Sequence, residues 1–230
     1  MKAADVMVTN VITVGLDASV QDVALTLLSA RISAVPVVGA NGELLGIVSE
    51  GDLMHRAEAG TGRRRPWWLA IFTGKEALAA EFVKEHSRKV TDVMTRDVVT
   101  AAPDTPLSAI ANLLEKNAIK RVPIMKGDKI VGIVSRANLL QALASQGKQV
   151  AGAGPADDAK IREKVLSQLE AEPWTRPSLI NVIVRDGTVE LWGIVDSVSE
   201  KKAVRVAAEV TPGVRAVNDN LVIRPAASGY

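Results

Sequence analysis

Two short segments of this 230-residue chain carry the same chemistry-bearing pattern: Gly46-Ile47-Val48-Ser49-Glu50-Gly51-Asp52 and Gly132-Ile133-Val134-Ser135-Arg136-Ala137-Asn138. In each, an apolar β-type run ends on a serine and a polar acceptor follows three residues later. A serine at such a strand-to-helix junction can cap the helix with its hydroxyl. The same junction can present helix N–H groups and that hydroxyl to a phosphate. One helical turn on, a carboxylate faces the same side and can accept two hydrogen bonds from a vicinal diol, the task acidic residues perform on ribose in dinucleotide folds. Taken alone the motif is common. Its recurrence at the same place in two copies is what favours a ligand.

The junctions belong to a longer duplication. Asp5-Val6-Met7 recurs as Asp92-Val93-Met94, Ile12-Thr13-Val14 as Val99-Thr100-Ala101, and Ala34-Val35-Pro36-Val37-Val38 as Arg121-Val122-Pro123-Ile124-Met125, each about 87 residues later. A near-constant offset marks one duplicated structural unit, and two such units would pack about a pseudo-twofold axis and enclose two related clefts. Each copy reads as strand, helix, two strands and helix. In the first, 11–14 is β-rich and 17–31 has helical spacing, with Val20, Val23, Ala24, Leu27 and Leu28 on one side. Ser19 and Asp22 resemble a capping box at its start. Strands at 35–38 and 44–48 flank an Asn41-Gly42 turn signal. In the second copy the same elements fall at 98–100, 107–117, 122–125, 129–134 and 136–145.

The chain therefore divides into a first repeat (1–55), an insert (56–90), a second repeat (91–146), a Gly/Pro-containing linker (147–156) and a C-terminal domain (157–225). The formal charge of +2 is unevenly spread: residues 55–90 hold eight Lys/Arg against four Asp/Glu. All seven aromatic residues also lie outside the repeats. Trp67, Trp68, Phe72 and Phe82 are in the insert, and Trp174, Trp192 and Tyr230 in the C-terminal third. A base bound by either repeat would therefore meet aliphatic side chains and backbone. In the insert, Arg63-Arg64-Arg65-Pro66-Trp67-Trp68 precedes an amphipathic helical pattern over 75–89, with Leu78, Phe82 and His86 at four-residue spacing. The tryptophans are expected to dock on the repeat pair or across a dimer interface, where Trp and Arg are enriched. A membrane-surface or nucleic-acid patch is the rival reading.

The C-terminal domain has a different rhythm. Ile161, Val165 and Leu169 mark a helix, strands at 179–184 and 188–195 join at Asp186-Gly187, Ser197-Val198-Ser199-Glu200 opens a second helix, and a last strand runs over 214–223. The order αββαβ predicts helices on one face of a small sheet.

Composition narrows the function classes. No apolar run reaches the roughly 18 residues of a membrane span, the residues after Met1 lack the apolar core of a signal peptide, and there is no cysteine for disulfide or thiolate chemistry. Two histidines, His55 and His86, support neither a His-rich metal centre nor a nucleophile–base triad. The cytoplasm is the expected setting, with peripheral attachment to a membrane as the alternative placement.

On these motifs residues 1–55 and 88–145 resemble a tandem cystathionine-β-synthase (CBS) domain pair, a Bateman module. The resemblance implies an α+β fold of two βαββα repeats, binding of an adenosyl ligand such as AMP, ADP, ATP or S-adenosylmethionine, and assembly as a homodimer. It places Asp52 on the ribose, Ser49 on ribose or phosphate, and Ile12, Thr13, Ser33, Ala34, Val35 and Pro36 around the base. In the second site the matching residues are Val99, Thr100, Lys120, Arg121, Val122, Pro123, Ser135 and Asn138. Asn138 departs from the pattern: an amide lacks the charge that makes such hydrogen bonds roughly twice as strong, so the second site is expected to be the weaker. Lys120, Arg121 and Arg136 read either as phosphate contacts or as solvated surface charges.

The C-terminal domain resembles a BON domain through its element order, Val189-Glu190-Leu191-Trp192-Gly193, and Pro212-Gly213-Val214 followed by Val217-Asn218. That resemblance implies an interaction or localisation module for phospholipid, peptidoglycan or a partner protein, with Trp192 either core, interface or ligand contact. The combined expectation is a non-enzymatic nucleotide sensor with no metal site. Its rivals are a membrane-surface or envelope-linked scaffold in which the repeats only dimerise and, disfavoured by the small net charge, a nucleic-acid binder.

Overall fold

The computed structural model describes residues 1–54, 76, 82, 83, 86–145 and 155–224. The Arg63–Trp68 patch, most of the insert helix and most of the linker fall outside them. The leading elements are α1 (Ala3–Val6), β1 (Val14–Gly15), α2 (Val20–Ala30), β2 (Ala34–Val38), β3 (Leu44–Ser49) and α3 (Glu50–Leu53). The second repeat contributes α4 (Val90–Val93), α5 (Leu107–Lys116), β4 (Arg121–Lys126), β5 (Lys129–Ser135) and α6 (Arg136–Ala144). The C-terminal domain follows with α7 (Pro155–Glu170), β6 (Ile180–Arg185), β7 (Thr188–Val195), α8 (Val198–Glu209) and β8 (Ala216–Ile223).

The chain forms two compact units: Ile12–Val99 with Gly127–Ile130, and Met1–Val11, Thr100–Lys126 and Val131–Tyr230. Each repeat's core is completed by the segment that precedes the other repeat. Val90, Val93 and Met94 are buried with Val23, Leu27, Val35, Val37 and Val48 of the first repeat. Ala3, Val6 and Met7 are buried with Ile110, Leu114, Val122, Ile124, Val134 and Ala142 of the second. Matching backbone bridges lock each exchanged segment: Thr95 and Ile47 exchange two N–H···O bonds of 2.9 Å, and Val8 and Ile133 two of 3.0 Å. The glycine of each Gly-Ile-Val-Ser segment makes this approach possible. A Cβ on Gly132 would lie 2.4 Å from the Met7 sulfur, and one on Gly46 2.7 Å from that of Met94.

In the first unit β1 pairs parallel with β2 through Val14 and Val37, and β2 runs antiparallel to β3 with Ala34 opposite Ser49. The strand expected at 98–100 is absent. Its pairing falls on Ala101, which donates to the Pro123 carbonyl at 3.1 Å and accepts from Met125 at 2.8 Å. The next rung of a parallel ladder would take the N–H of residue 103, and Pro103 has none. Helix α2 opens as expected. The Ser19 N–H and hydroxyl donate to Asp22 Oδ2 at 2.9 and 2.7 Å, and they hold that carboxyl below its ordinary pKa. Leu28, expected on the buried side, is 75% exposed.

The C-terminal sheet has the order β6-β7-β8, with β6 and β7 antiparallel and β8 parallel to β7. Asp186 and Gly187, both at positive φ (50° and 75°), make the tight turn between β6 and β7. Side chains alternate between the faces of a strand. Ile180, Val182 and Val184 face a core with Ile161, Val165, Leu169 and Val204 from the helices. Ile183 belongs instead to the core cluster of the second repeat, and Trp192 packs against it. Both faces of this part of the sheet are thus covered, and the interface reading of Trp192 is the one the structure shows.

Gly132→Ala should lower stability by about 1–3 kcal/mol through overpacking. In a double-mutant cycle with Met7→Ala, urea denaturation should give a coupling of about 0.5–3 kcal/mol; additive effects would mean that the two residues do not meet.

Candidate functional site

Both serine junctions form as the sequence suggests. In the first, Ser49 ends β3 opposite Ala34, and the Glu50 N–H donates to the Ser33 carbonyl at 3.0 Å, tying the start of α3 to the start of β2. The Ser49 N–H and hydroxyl donate to Asp52 Oδ2 at 2.9 and 2.7 Å. Ser33, Ser49 and Asp52 are half-buried, as are Ile12 and Thr13; Ala34, Val35 and Pro36 are buried. Ile12 packs against the first-repeat core, of which Val35 is part. All eight residues lie within one unit.

The second junction repeats the frame. The Arg136 N–H donates to the Lys120 carbonyl at 3.1 Å, and the Ser135 N–H and hydroxyl both donate to Asn138 Oδ1 at 2.8 Å. Val122 is a core residue, Pro123 is buried, Arg121 is half-buried, and Thr100 and Lys120 are exposed. Arg136 turns back along its own repeat, with Nε donating to the Ile119 carbonyl at 3.2 Å. Val99, half-buried, falls in the other unit.

The junctions differ at the third residue after the serine. An amide oxygen has two lone pairs, and Ser135 occupies both on Asn138. The rest of the Asn138 side chain is engaged too, for it is only 5% exposed. Its Nδ2 donates to Gln141 Oε1 at 3.1 Å, and that oxygen also accepts from Asn181 Nδ2 of the C-terminal domain at 2.8 Å. Asn181 Nδ2 donates in turn to the Val6 carbonyl at 3.1 Å. Beside it, the buried Arg162 donates from Nε to the Val182 carbonyl at 2.7 Å and from Nη2 to the Met7 carbonyl at 2.6 Å. Burial lowers the Arg162 pKa to about 10, with Asp5 opposing the shift, so the guanidinium stays charged at neutral pH.

Sequence reasoning missed Gln141, Arg162 and Asn181. The bonds that tie them between domains span 40 to 175 residues, beyond any local pattern. One signal was present: Asn181 interrupts the apolar run Ile180-Asn181-Val182-Ile183-Val184, and the flanking apolar residues on both faces mark a strand covered on both sides. Two clefts, of about 300 and 500 Å³, lie away from the serine junctions. The first is lined by Asp5, Asp158, Arg162 and Asp186 among others. The second lies between Trp174, Arg176 and the start of α8. Among the described residues no group of His, Cys, Asp and Glu could hold a metal ion.

The CBS-domain model matches residues 3–59 and 90–145, and the BON-domain model residues 157–225. An uncharacterised protein of Methanocaldococcus jannaschii is 36% identical over 124 residues, covering 49% of this chain and 74% of the relative. The solved structure of CBSX2 in complex with AMP matches with a TM-score of 0.55 and 25% identity, covering 64% of this chain and 99% of that one. Inosine-5'-monophosphate dehydrogenase of Nitrosopumilus maritimus is 28% identical over 139 residues, but this chain spans only 23% of that enzyme. The chain belongs to the CBS-domain family, with two CBS domains followed by a BON domain.

Arg162→Met keeps the unbranched stem and leaves two carbonyls without their donor. It should lower the unfolding free energy by about 2–4 kcal/mol in urea denaturation, and an unchanged midpoint would show that water replaces the guanidinium without loss.

Proposed function

We propose that this chain is a regulatory sensor of an adenosyl ligand, an adenine nucleotide such as AMP, ADP or ATP or else S-adenosylmethionine. The CBS pair binds the ligand, and the BON domain serves as the interaction or localisation module. The observation that carries the reading is the first junction: Asp52 held by Ser49 beside the Ser33 carbonyl, in a fold similar to CBSX2, whose structure holds AMP. A carboxylate offers about four acceptor positions, so closing the cap and binding a ribose diol are compatible roles for Asp52. Ser49 then reaches ribose or phosphate, and Ile12, Thr13, Ser33, Ala34, Val35 and Pro36 surround the base.

The second junction is the weaker site, formed by Thr100, Lys120, Arg121, Val122, Pro123, Ser135, Arg136 and Asn138. Both lone pairs of the Asn138 oxygen already serve Ser135, so a diol would have to displace a cap bond. We assign the chain no catalytic step of its own. Its setting in this reading is the cytoplasm, with vesicle flotation as the test for peripheral membrane attachment. No helix of the described residues is long and apolar enough to cross a membrane.

The chain acts as a homodimer in this reading. Leu25 and Leu28 on α2 are 57% and 75% exposed, and Leu140 and Leu143 on α6 are 66% and 63% exposed. In each unit, taken by itself, such a pair of large apolar side chains left in water marks a surface for association. Light scattering should find a dimer that Leu28→Asp combined with Leu140→Asp converts to monomer; a dimer that survives both changes would move the interface elsewhere.

At 100 times its Kd an adenosyl ligand should add about 2.7 kcal/mol of stability, seen as a rise in Tm. Silence toward AMP, ADP, ATP and S-adenosylmethionine at millimolar concentration would overturn the sensor reading. In calorimetry Asp52→Ala should weaken binding at least about tenfold, since one charge-assisted bond contributes roughly 1.5–3 kcal/mol. Asn138→Ala should do less, and the opposite ranking would make the second junction the principal site.

A further inference from the structure

We infer that Asn138 is a docking residue: its amide, passed through Gln141 and Asn181, seats the BON sheet on the second CBS repeat. The direction of the relay forces the residue type. The Val6 carbonyl is an acceptor only, so Asn181 must turn its NH2 group toward it. The other N–H of that group needs an acceptor and finds Gln141 Oε1. That oxygen faces Asn138, which must therefore present a donor as well, and does so with Nδ2. Only the Asn138 oxygen is left for the Ser135 cap.

Position 138 must thus accept from its own helix cap and donate to its neighbour. An amide does both; a carboxylate, which stands at the matching position of the first repeat as Asp52, only accepts. Reversing the chain by flipping each amide fails at its end, where two carbonyl oxygens would face each other at Val6. Asn181 shows that its orientation is imposed by the docking: its own Oδ1 is buried with no hydrogen-bond partner. The departure at 138 from Ser-x-x-Asp is then explained by the domain that follows, and it stands whether or not either junction binds a nucleotide.

The sheet face so held carries Asn181, Ile183 and Trp192. Trp192 Nε1 is buried without a hydrogen-bond partner, so at unchanged global stability, checked by urea denaturation, its exchange with solvent reports coverage of that face. The test is the exchange rate of the Trp192 indole N–H in the full chain by NMR. Asn138→Asp should speed it at least tenfold, and Asn181→Ala, from the far end of the relay, should do the same. Asp52→Asn in the first repeat should leave it unchanged.

Position 141 supplies a second, directional check in case Asn138→Asp does not fold. The relay needs only an acceptor there, so Gln141→Glu should keep the indole protected while Gln141→Met exposes it. Unchanged exchange in both Asn138→Asp and Asn181→Ala would overturn the proposal. So would equal exposure by Gln141→Glu and Gln141→Met, or an Asp52→Asn effect as large as that of Asn138→Asp.

Discussion

The carbonyl groups at the end of α1 are what the second unit is built around. A four-residue helix cannot satisfy its own C-terminal acceptors, and here Val6 and Met7 take their donors from the C-terminal domain, through Asn181 and Arg162. The side chains of the same segment, Ala3, Val6 and Met7, fill the core of the second repeat. One short stretch near the start of the chain thus joins two domains whose buried residues around it lie more than a hundred residues further on. Without α1 the second repeat would lose part of its core and the BON domain the acceptors it is docked on.

Burying the Arg162 cation carries a desolvation cost, visible in a pKa lowered to about 10. A base shifted in this direction costs stability while it is charged, and that cost is relieved only as pH rises through the lowered pKa. What offsets it is the pair of short bonds to the Val182 and Met7 carbonyls, which would otherwise be sealed away from water. The apolar packing of Ile183 and Trp192 supplies attraction without direction. Arg162 and Asn181 supply position, because each must meet particular oxygens.

Legibility of the fold and site in the sequence followed the range of the interactions. The caps at Ser19, Ser135 and Ser197, the Asp186-Gly187 turn and the strand-to-helix junctions depend on residues within four positions of one another, and local patterns announced them. Both Asp-Val-Met segments and both Gly-Ile-Val-Ser segments were visible as landmarks, but not that the methionine of one repeat lies against the glycine of the other. That contact follows from the exchange of leading segments, which no local periodicity encodes. The strand expected at 98–100 is shifted to Ala101 because β propensity marks extended backbone, while the ladder depends on an N–H that Pro103 lacks. Leu28 sat on the expected apolar stripe of α2 yet points to solvent, since a stripe gives the face of a helix and not how much of that face is covered.

The two readings of Ser-x-x-(Asp/Asn) are layered. Capping is present in both repeats, with nearly the same distances. What differs is the acceptor itself, a carboxylate in the first repeat and an amide in the second. A carboxylate can close the cap and still have positions for a diol; an amide oxygen that closes the cap has none, but its nitrogen gains a donor that the carboxylate lacks. Duplication supplied two equivalent junctions, and a single change of oxygen to nitrogen separates their chemistry. At the first junction the carboxylate is the group to which the proposed sensor assigns its ligand. At the second the amide looks inward, through Gln141, to the domain that the repeat carries.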